Sequence, residues 1–431
     1  MKNQATMDFI RHHADDDVRQ LALRGTKDPE VDLPFALDQI AGRQTARRKL
    51  PSWAATEGIV YPPHLSMEQC SSEQTARYKA GMAGRGHRLV DLTGGFGVDF
   101  SVMAQGFAEA VYVERQASLC EIADRNFCLL GLRQAAVVCG DGTDYLQTMP
   151  PADLIYIDPA RRDAHGGRTY GIADCTPDVL SIRDLLLEKA ERVIIKLSPM
   201  LDWRKAVADL GPQYVREVHI VSVANECKEL LLLLGKGESF RLFCVNDDTV
   251  FEAYGAYGAY GAYGTNGADG ANGTNGANGA DGADGADGAY RTYRTYRTYG
   301  TYRAYGAYGS HHPHFLYSPN ASIMKAGCFE EVAARFSLNQ LAQNSHLFVS
   351  DKLVEDFPGR VFQIDAVTTM NKRELRQHLQ GMTQANITVR NFPLSVAELR
   401  KRLKLSEGGS TYIFATTLGD GKKVLLICSR G

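Results

Sequence analysis

The sequence predicts an α/β protein: a Rossmann-like, seven-stranded sheet whose seventh strand runs antiparallel, preceded by a helical N-terminal region and followed by a small α+β domain. Three observations carry this expectation. From residue 88 to 234, short runs that are apolar on both faces alternate with helical stretches, the pattern of a parallel sheet covered on both sides. The last two runs, His219–Val223 and Glu229–Leu234, are joined by only five residues, Ala224–Lys228, which is too short for a parallel crossover. Residues 361–428 carry a separate βαβαββ rhythm.

The elements follow in order. At 431 residues the chain exceeds what one core organises, so several domains are expected. Residues 1–60 read as helical, with Leu33, Leu37, Ile40 and Ala41 recurring at helical spacing. The basic cluster Arg43–Lys49 reads either as a solvated helix face or as a phosphate contact. Residues 61–246 form the sheet domain, with strands at Arg88–Asp91, Ala110–Glu114, Ala136–Cys139, Leu154–Ile157 and Val193–Leu197 before the two named above. Five parallel strands, a sixth and an antiparallel seventh make the class I methyltransferase sheet; an ordinary dinucleotide-binding fold lacks that final hairpin.

Residues 247–310 are dominated by nineteen tandem triplets at 253–309, which hold eleven of the twenty tyrosines and no valine, leucine or isoleucine. Such a composition buries no core, and the segment reads as a repeat expanded within a surface loop. Tyrosines interleaved with Arg291, Arg294, Arg297 and Arg303 also permit stacking on single-stranded bases. Residues 311–358 form a small mixed segment. In 359–431, Ser395 and Glu398 make a capping box at the second helix, Gly419-Asp420-Gly421 turns the last hairpin, and Arg400, Lys401, Arg402 and Lys404 form a basic face.

Forty-eight basic side chains nearly balance fifty acidic ones, so any nucleic-acid surface must be local. Nine scattered cysteines without a C-x-x-C pair argue against a disulfide framework or zinc site, and no metal is expected. His311, His312 and His314 are read as exposed rather than ligating. The N-terminus lacks the apolar core of a signal peptide, no run approaches the ~18 apolar residues of a membrane span, and a cytoplasmic location is expected.

Chemistry concentrates at strand ends. Asp91-Leu-Thr93-Gly94-Gly95-Phe-Gly97 follows the first strand and opens a helix, letting backbone approach a ligand without Cβ interference. Phe100 stands where a full G-x-G-x-x-G would need glycine, which weakens a dinucleotide reading. Glu114 is placed to accept two ribose hydroxyls, and Asp141 an adenine amine; the alternative is that both merely cap helices. S-adenosyl-L-methionine fits these contacts better, because it needs no pyrophosphate cradle.

The glycine loop, IDPARR at 157–162, IIKLSPMLDW, VANECKELLLLLG and the upstream EQCSSEQTARYKA resemble a bacterial family of class I S-adenosylmethionine-dependent methyltransferases. That family carries a ferredoxin-like segment and a C-terminal THUMP-like domain, which PNASIMKAG and NFPLSVAELRKRLKL resemble. The resemblance spans nearly the whole chain except 253–309. It implies the fold and the cofactor firmly, and an RNA partner, tRNA or rRNA, through the association of THUMP domains with tRNA-modifying enzymes. It also allows Ser71-Ser72-Glu73, otherwise a helix cap, to lie against the methionine end of the cofactor.

Asp158 and Pro159 end the fourth strand, where class I enzymes keep their catalytic motif. Amine methylases of this fold hold the N–H donors there and stack an aromatic on the base; Ala160 and Arg161 occupy the following positions, which departs from that motif and supplies no aromatic, and a guanidinium can either stack on a base or hold a phosphate. Arg161 and Arg162 are read as substrate contacts or as surface ion pairs. A C5-uridine route would need a cysteine after the fifth strand, where Leu197-Ser198-Pro199 stands, and Cys227 is expected to be a small buried residue. The expected activity is methylation of RNA, more readily at nitrogen. The alternatives are a protein or small-molecule acceptor, or an RNA-binding protein without turnover.

Overall fold

The computed structural model describes residues 3–161, 171–237, 239–254, 313–342 and 344–430. Arg162, His311, His312 and the triplets beyond Tyr254 lie outside the described residues, and of Arg161 only the backbone is described. The chain forms two compact units: Met1–Val221 with Cys227–Phe243, and Ser222–Glu226 with Cys244–Gly431.

The first unit opens with helices Gln4–His12, Val18–Arg24, Leu33–Lys49 and Pro51–Ala55. Asn3, Asp17 and Asp32 start the first three by accepting an orphan N–H of the first turn, from Thr6, Gln20 and Phe35. The long helix does not bury the leucines that its periodicity singles out. Its buried face is Ala36, Gln39, Ile40, Gly42 and Ala46, while Leu33, Leu37 and Ala41 are half-buried. The reason is a close approach: a Cβ on Gly42 would lie 2.3 Å from the Tyr61 side chain, so small residues mark the contact. Of the basic cluster, Arg47 pairs with Asp15 and Lys49 donates to the Met67 and Glu68 carbonyls.

Helices His64–Gln69 and Glu73–Ala83 lead into the sheet. Its strands are β1 (Gly86–Asp91), β2 (Phe107–Glu114), β3 (Ala135–Cys139) and β4 (Ala152–Ile157). A two-residue pair follows, β5 (Ala160–Arg161) with β6 (Cys175–Thr176), then β7 (Ala190–Leu197), β8 (Val215–Val223) and β9 (Glu226–Gly235). Seven of the sheet's nine strands are ordered β8-β9-β7-β4-β1-β2-β3, with β1, β2, β3, β4 and β7 parallel and β9 antiparallel to β7, so the sheet is larger than the seven strands predicted. The antiparallel seventh strand predicted from the short hairpin is present. The hairpin is tighter than expected: its loop is only Ala224 and Asn225, both left-handed at φ 50° and 62°, as a twisted two-residue turn demands. Phe100, Tyr112, Phe127 and Tyr156 fill the core against the sheet, each burial contributing roughly 1.5–3 kcal/mol.

β10 (Arg241–Asn246) carries the chain into the second unit, where β11 (Thr249–Tyr254) follows. The other strands of this unit are β12 (Phe315–Pro319), β13 (Asn339–Gln340), β14 (Phe348–Ser350), β15 (Gly359–Thr368), β16 (Asn386–Arg390), β17 (Thr411–Thr417) and β18 (Lys423–Arg430). They form one sheet, ordered β13-β14-β12-β15-β18-β17-β16, in which only β16 and β17 are parallel. β15 is bulged between Ile364 and Ala366 and pairs with both β12 and β18, so residues 315–358 and 359–430 share a sheet. Helices Lys372–Leu379 and Val396–Leu403 connect its later strands, the second starting on the Ser395–Glu398 capping box. Among the described residues no helix is long and apolar enough to cross a membrane.

Candidate active site

In an open parallel sheet, ligands bind beyond the carboxyl ends of the strands where the order reverses direction. Here β4 lies on one side of β1 and β2 on the other. Asp91, Glu114, Cys139 and Ile157 close β1, β2, β3 and β4, so the predicted residues of the loops that follow come to one end of the sheet.

Asp91 is buried at 1% exposure, and its Oδ1 accepts the Thr93 N–H at 2.9 Å. Burial pushes its carboxyl well above the aspartate range, against that hydrogen bond, and the charges of Asp99, Asp158 and Glu114 add to the rise. The loop is tied down on three sides. The Gly94 N–H reaches the Val113 carbonyl at 2.9 Å, the Gly95 N–H reaches Glu114 Oε2 at 2.9 Å, and Thr93 Oγ1 accepts the Asp158 N–H at 2.6 Å. Its glycines divide by role. A Cβ on Gly94 would lie 2.1 Å from the Tyr112 ring, so that glycine is needed for packing. Gly95 (φ +57°) has nothing but the Thr93 carbonyl, at 3.9 Å, near its absent Cβ, so that side of the loop is open.

Glu114 accepts from Gly95 N–H and from Gln116 N–H at 2.8 Å, one oxygen each. Asp141 caps helix Gly142–Thr148, its Oδ1 accepting from the Thr143 N–H at 2.7 Å and the Thr143 hydroxyl at 2.5 Å. The Thr143 hydroxyl, with the backbone N–H groups of Thr143 and Asp144 and the charge of Arg115, outweighs burial and holds its carboxyl below the ordinary range. Both acids therefore brace their own loops. Each carboxylate oxygen has two lone pairs, so both retain acceptor capacity for a ligand.

Asp158 is half-buried and Pro159 buried. Asp158 Oδ2 lies 2.6 Å from Lys196 Nζ on β7, and Lys196 lies 3.7 Å from Asp99 Oδ2. Burial opposes the charged form of Lys196, but Asp158 and Asp99 outweigh it and raise its pKa above the usual lysine range. Burial lifts the Asp158 carboxyl, and Lys196 limits the rise. Asp99 Oδ2 also receives the Tyr156 hydroxyl at 2.7 Å and lies 2.8 Å from Ser71 Oγ. Lys79, at 0% exposure, lies 3.1 Å from Asp99 Oδ1 and 2.5 Å from Glu229 Oε2. Burial disfavours charge on Asp99, yet Lys79 and Lys196, with the two hydroxyls, bring its pKa below the ordinary value.

This network of Lys79, Asp99, Lys196 and Glu229 is not among the residues the motifs single out. The sequence marks single members by a charge within or beside an apolar run, as in IIKL at 194–197 and ELLLLL at 229–234, but not their pairing. Of Ser71-Ser72-Glu73, Ser72 caps helix Glu73–Ala83 as expected, and Ser71 joins the network. Cys227, expected to be buried, is half-buried at the start of β9, because the tighter turn moves it onto the strand end. Among the described residues no group of side chains could hold a metal ion, and His314 meets the Asp351 carbonyl.

Three comparisons bear on this geometry. Residues 359–430 match a THUMP domain-like family, 315–358 a ferredoxin-like domain, and 79–164 the protein-L-isoaspartate(D-aspartate) O-methyltransferase family. The crystal structure of a Porphyromonas gingivalis W83 protein described as a methyltransferase superposes with TM-score 0.78 at 29% identity, over 99% of this chain and 98% of that one. Protein-L-isoaspartate O-methyltransferases of Thermotoga maritima (36% identical) and Archaeoglobus fulgidus (35%) match over 17% and 18% of this chain. The matched stretches span only 24% and 38% of those two relatives.

Proposed function

We propose that this chain, which joins a class I methyltransferase domain to ferredoxin-like and THUMP-like domains, transfers a methyl group from S-adenosylmethionine to a nitrogen of an RNA base. The carrying observation is that the open glycine loop, Glu114, Asp141 and Asp158 meet at the reversal point of the sheet. The residues fit the cofactor: Gly95 leaves space, and Glu114 and Asp141 keep free lone pairs. Asp91 and the loop Thr93–Gly97 would hold its methionine end, Glu114 its ribose hydroxyls and Asp141 its adenine amine. The three carboxylates of Asp99, Asp158 and Glu229 face the two ammoniums of Lys79 and Lys196, an excess of one negative charge that favours a cationic ligand.

S-adenosylmethionine supplies an electrophilic methyl group; the chain positions the acceptor. Lys196 engages one Asp158 oxygen, and the other accepts an N–H of the base, fixing its lone pair in line. Arg161 orients the base or its phosphate. The match to the isoaspartate methyltransferases covers 79–164, the stretch that holds Glu114, Asp141 and Asp158, and therefore supports donor binding without specifying the acceptor. RNA is favoured by the THUMP-like match and by Lys401, Arg402 and Lys404, exposed along helix Val396–Leu403 and its end.

Labelled methyl transfer tests this reading, with cellular RNA and protein fractions offered separately. Label enters RNA, and Asp158→Asn lowers turnover on the order of a hundredfold while cofactor affinity stays within about twofold. Label entering protein alone, or full turnover in the variant, contradicts it.

A further inference from the structure

β4 and β7 are parallel neighbours with Ile157 opposite Ile195, so Asp158 and Lys196 are the next facing pair beyond them. A lysine in a strand covered on both faces is costly unless its charge is paired. The Lys196 side chain is 12% exposed, and its Nζ lies 2.6 Å from Asp158 Oδ2 and 3.7 Å from Asp99 Oδ2. Among the described residues, Lys196 alone pairs with the Asp158 carboxylate. Asp99 is itself fixed. The Tyr156 hydroxyl donates to its Oδ2 at 2.7 Å, Ser71 Oγ lies 2.8 Å from the same oxygen, and Lys79 lies 3.1 Å from Oδ1. The Lys196 ammonium is thus clamped from behind, and through it one oxygen of Asp158.

The charges around Asp158 give this pair a chemical consequence. Burial raises the Asp158 carboxyl, Lys196 opposes that most, Asp99 adds to the rise and Lys79 offsets part of it. Asp91 on β1 and Tyr156 on β4 also face Asp158, while Glu229 on β9 and the Cys70 thiol face Lys196. Removing the Lys196 ammonium leaves burial, Asp91 and Asp99 against Lys79 alone. Asp158 would then take up a proton at higher pH.

We propose that Lys196 is a positioning residue for methyl transfer: clamped by Asp99, it holds one Asp158 oxygen so that the other faces the acceptor nitrogen and takes its proton. This rests on the methyl-transfer reading above and extends it to a residue that acts through Asp158 rather than on the substrate. The carbon–sulfur bond breaks as the carbon–nitrogen bond forms, so positive charge passes from sulfur to nitrogen. That charge leaves the nitrogen as one proton, and the Asp158 carboxylate becomes a carboxyl by accepting it. An Asp158 that is already protonated cannot do so, and transfer fails as pH falls through its pKa.

The test follows single-turnover methyl transfer from S-adenosylmethionine to cellular RNA across neutral and acid pH, with the full-length parent, Lys196→Met and Lys196→Arg. Cooperative urea unfolding read by tryptophan fluorescence shows that each variant folds, and Lys196→Gln stands in for a Lys196→Met that does not. The parent rate falls on the acid side. Lys196→Met moves that limb to higher pH by roughly one unit or more and lowers the plateau about tenfold. Lys196→Arg returns the limb to the parent's position, because the guanidinium keeps the charge. A merely structural lysine would lower the plateau or the stability and leave the limb in place. Parent transfer with no acid limb, with an unshifted limb in the folded neutral variant, or with a shift that Lys196→Arg does not reverse, overturns the role of Lys196 alone. No transfer to RNA by the parent at any pH overturns the methyl-transfer reading and this role together.

Discussion

Lys79 is a lysine with no exposed surface, held between Asp99 and Glu229, and its cost is the desolvation of three charges. Removing one partner of such a cluster leaves an orphaned carboxylate. Lys79→Met is expected to destabilise the first unit by about 3–5 kcal/mol, and adding Glu229→Gln to restore part of that loss. Both tryptophans, Trp53 and Trp203, belong to this unit, so their fluorescence during urea unfolding reports it selectively. A double variant no more stable than the single one contradicts the account. Glu114, Asp141 and Asp158 are visible in the sequence because each acid follows an apolar run. The network is not, because its partners meet only in the fold: Lys79 and Glu229 are 150 residues apart.

The loop between β1 and the helix beginning at Val98 shows how one motif divides its tasks. Gly94→Ala drives a Cβ into Tyr112 and is expected to cost more than the roughly 1–3 kcal/mol of ordinary overpacking, since backbone must shift. Gly95→Ala costs only about 1 kcal/mol for the left-handed φ, yet its methyl enters the open side and weakens cofactor binding. Chemical unfolding and cofactor titration of both variants check this; unchanged affinity in Gly95→Ala would remove the loop from the site. At this scale the sequence was informative where chemistry is local. Apolar runs marked the strands, and Ser395 with Glu398 marked a helix start. It was uninformative where a distant side chain decides, as when Tyr61 selects the buried face of helix Leu33–Lys49. The two-residue turn at Ala224-Asn225 was also hidden, because neither residue is the glycine that usually signals left-handed backbone.

Across the whole molecule, the antiparallel seventh strand was deducible from loop length alone, whereas the shared sheet of the second unit was not, since β15 bonds to partners on both sides of residue 359. The first triplet enters β11, where Ala253 is buried, contrary to the expectation that the triplets bury no core; those from residue 256 onward lack valine, leucine and isoleucine and are expected to add nothing to an apolar core. Replacing residues 256–309 with a Gly/Ser linker of about twenty residues should therefore leave Tm within about 2 °C, since loop length changes closure entropy only slightly; a large fall in a thermal scan would show that the repeat is structural. The first unit is proposed to bind S-adenosylmethionine at the carboxyl ends of β1, β2 and β3. Calorimetric titration of the full chain with S-adenosylhomocysteine, in parallel with Glu114→Gln, tests it most directly. One-to-one binding, weakened roughly tenfold or more in the variant, is the expected result. No binding, or equal affinity in the two proteins, would contradict it.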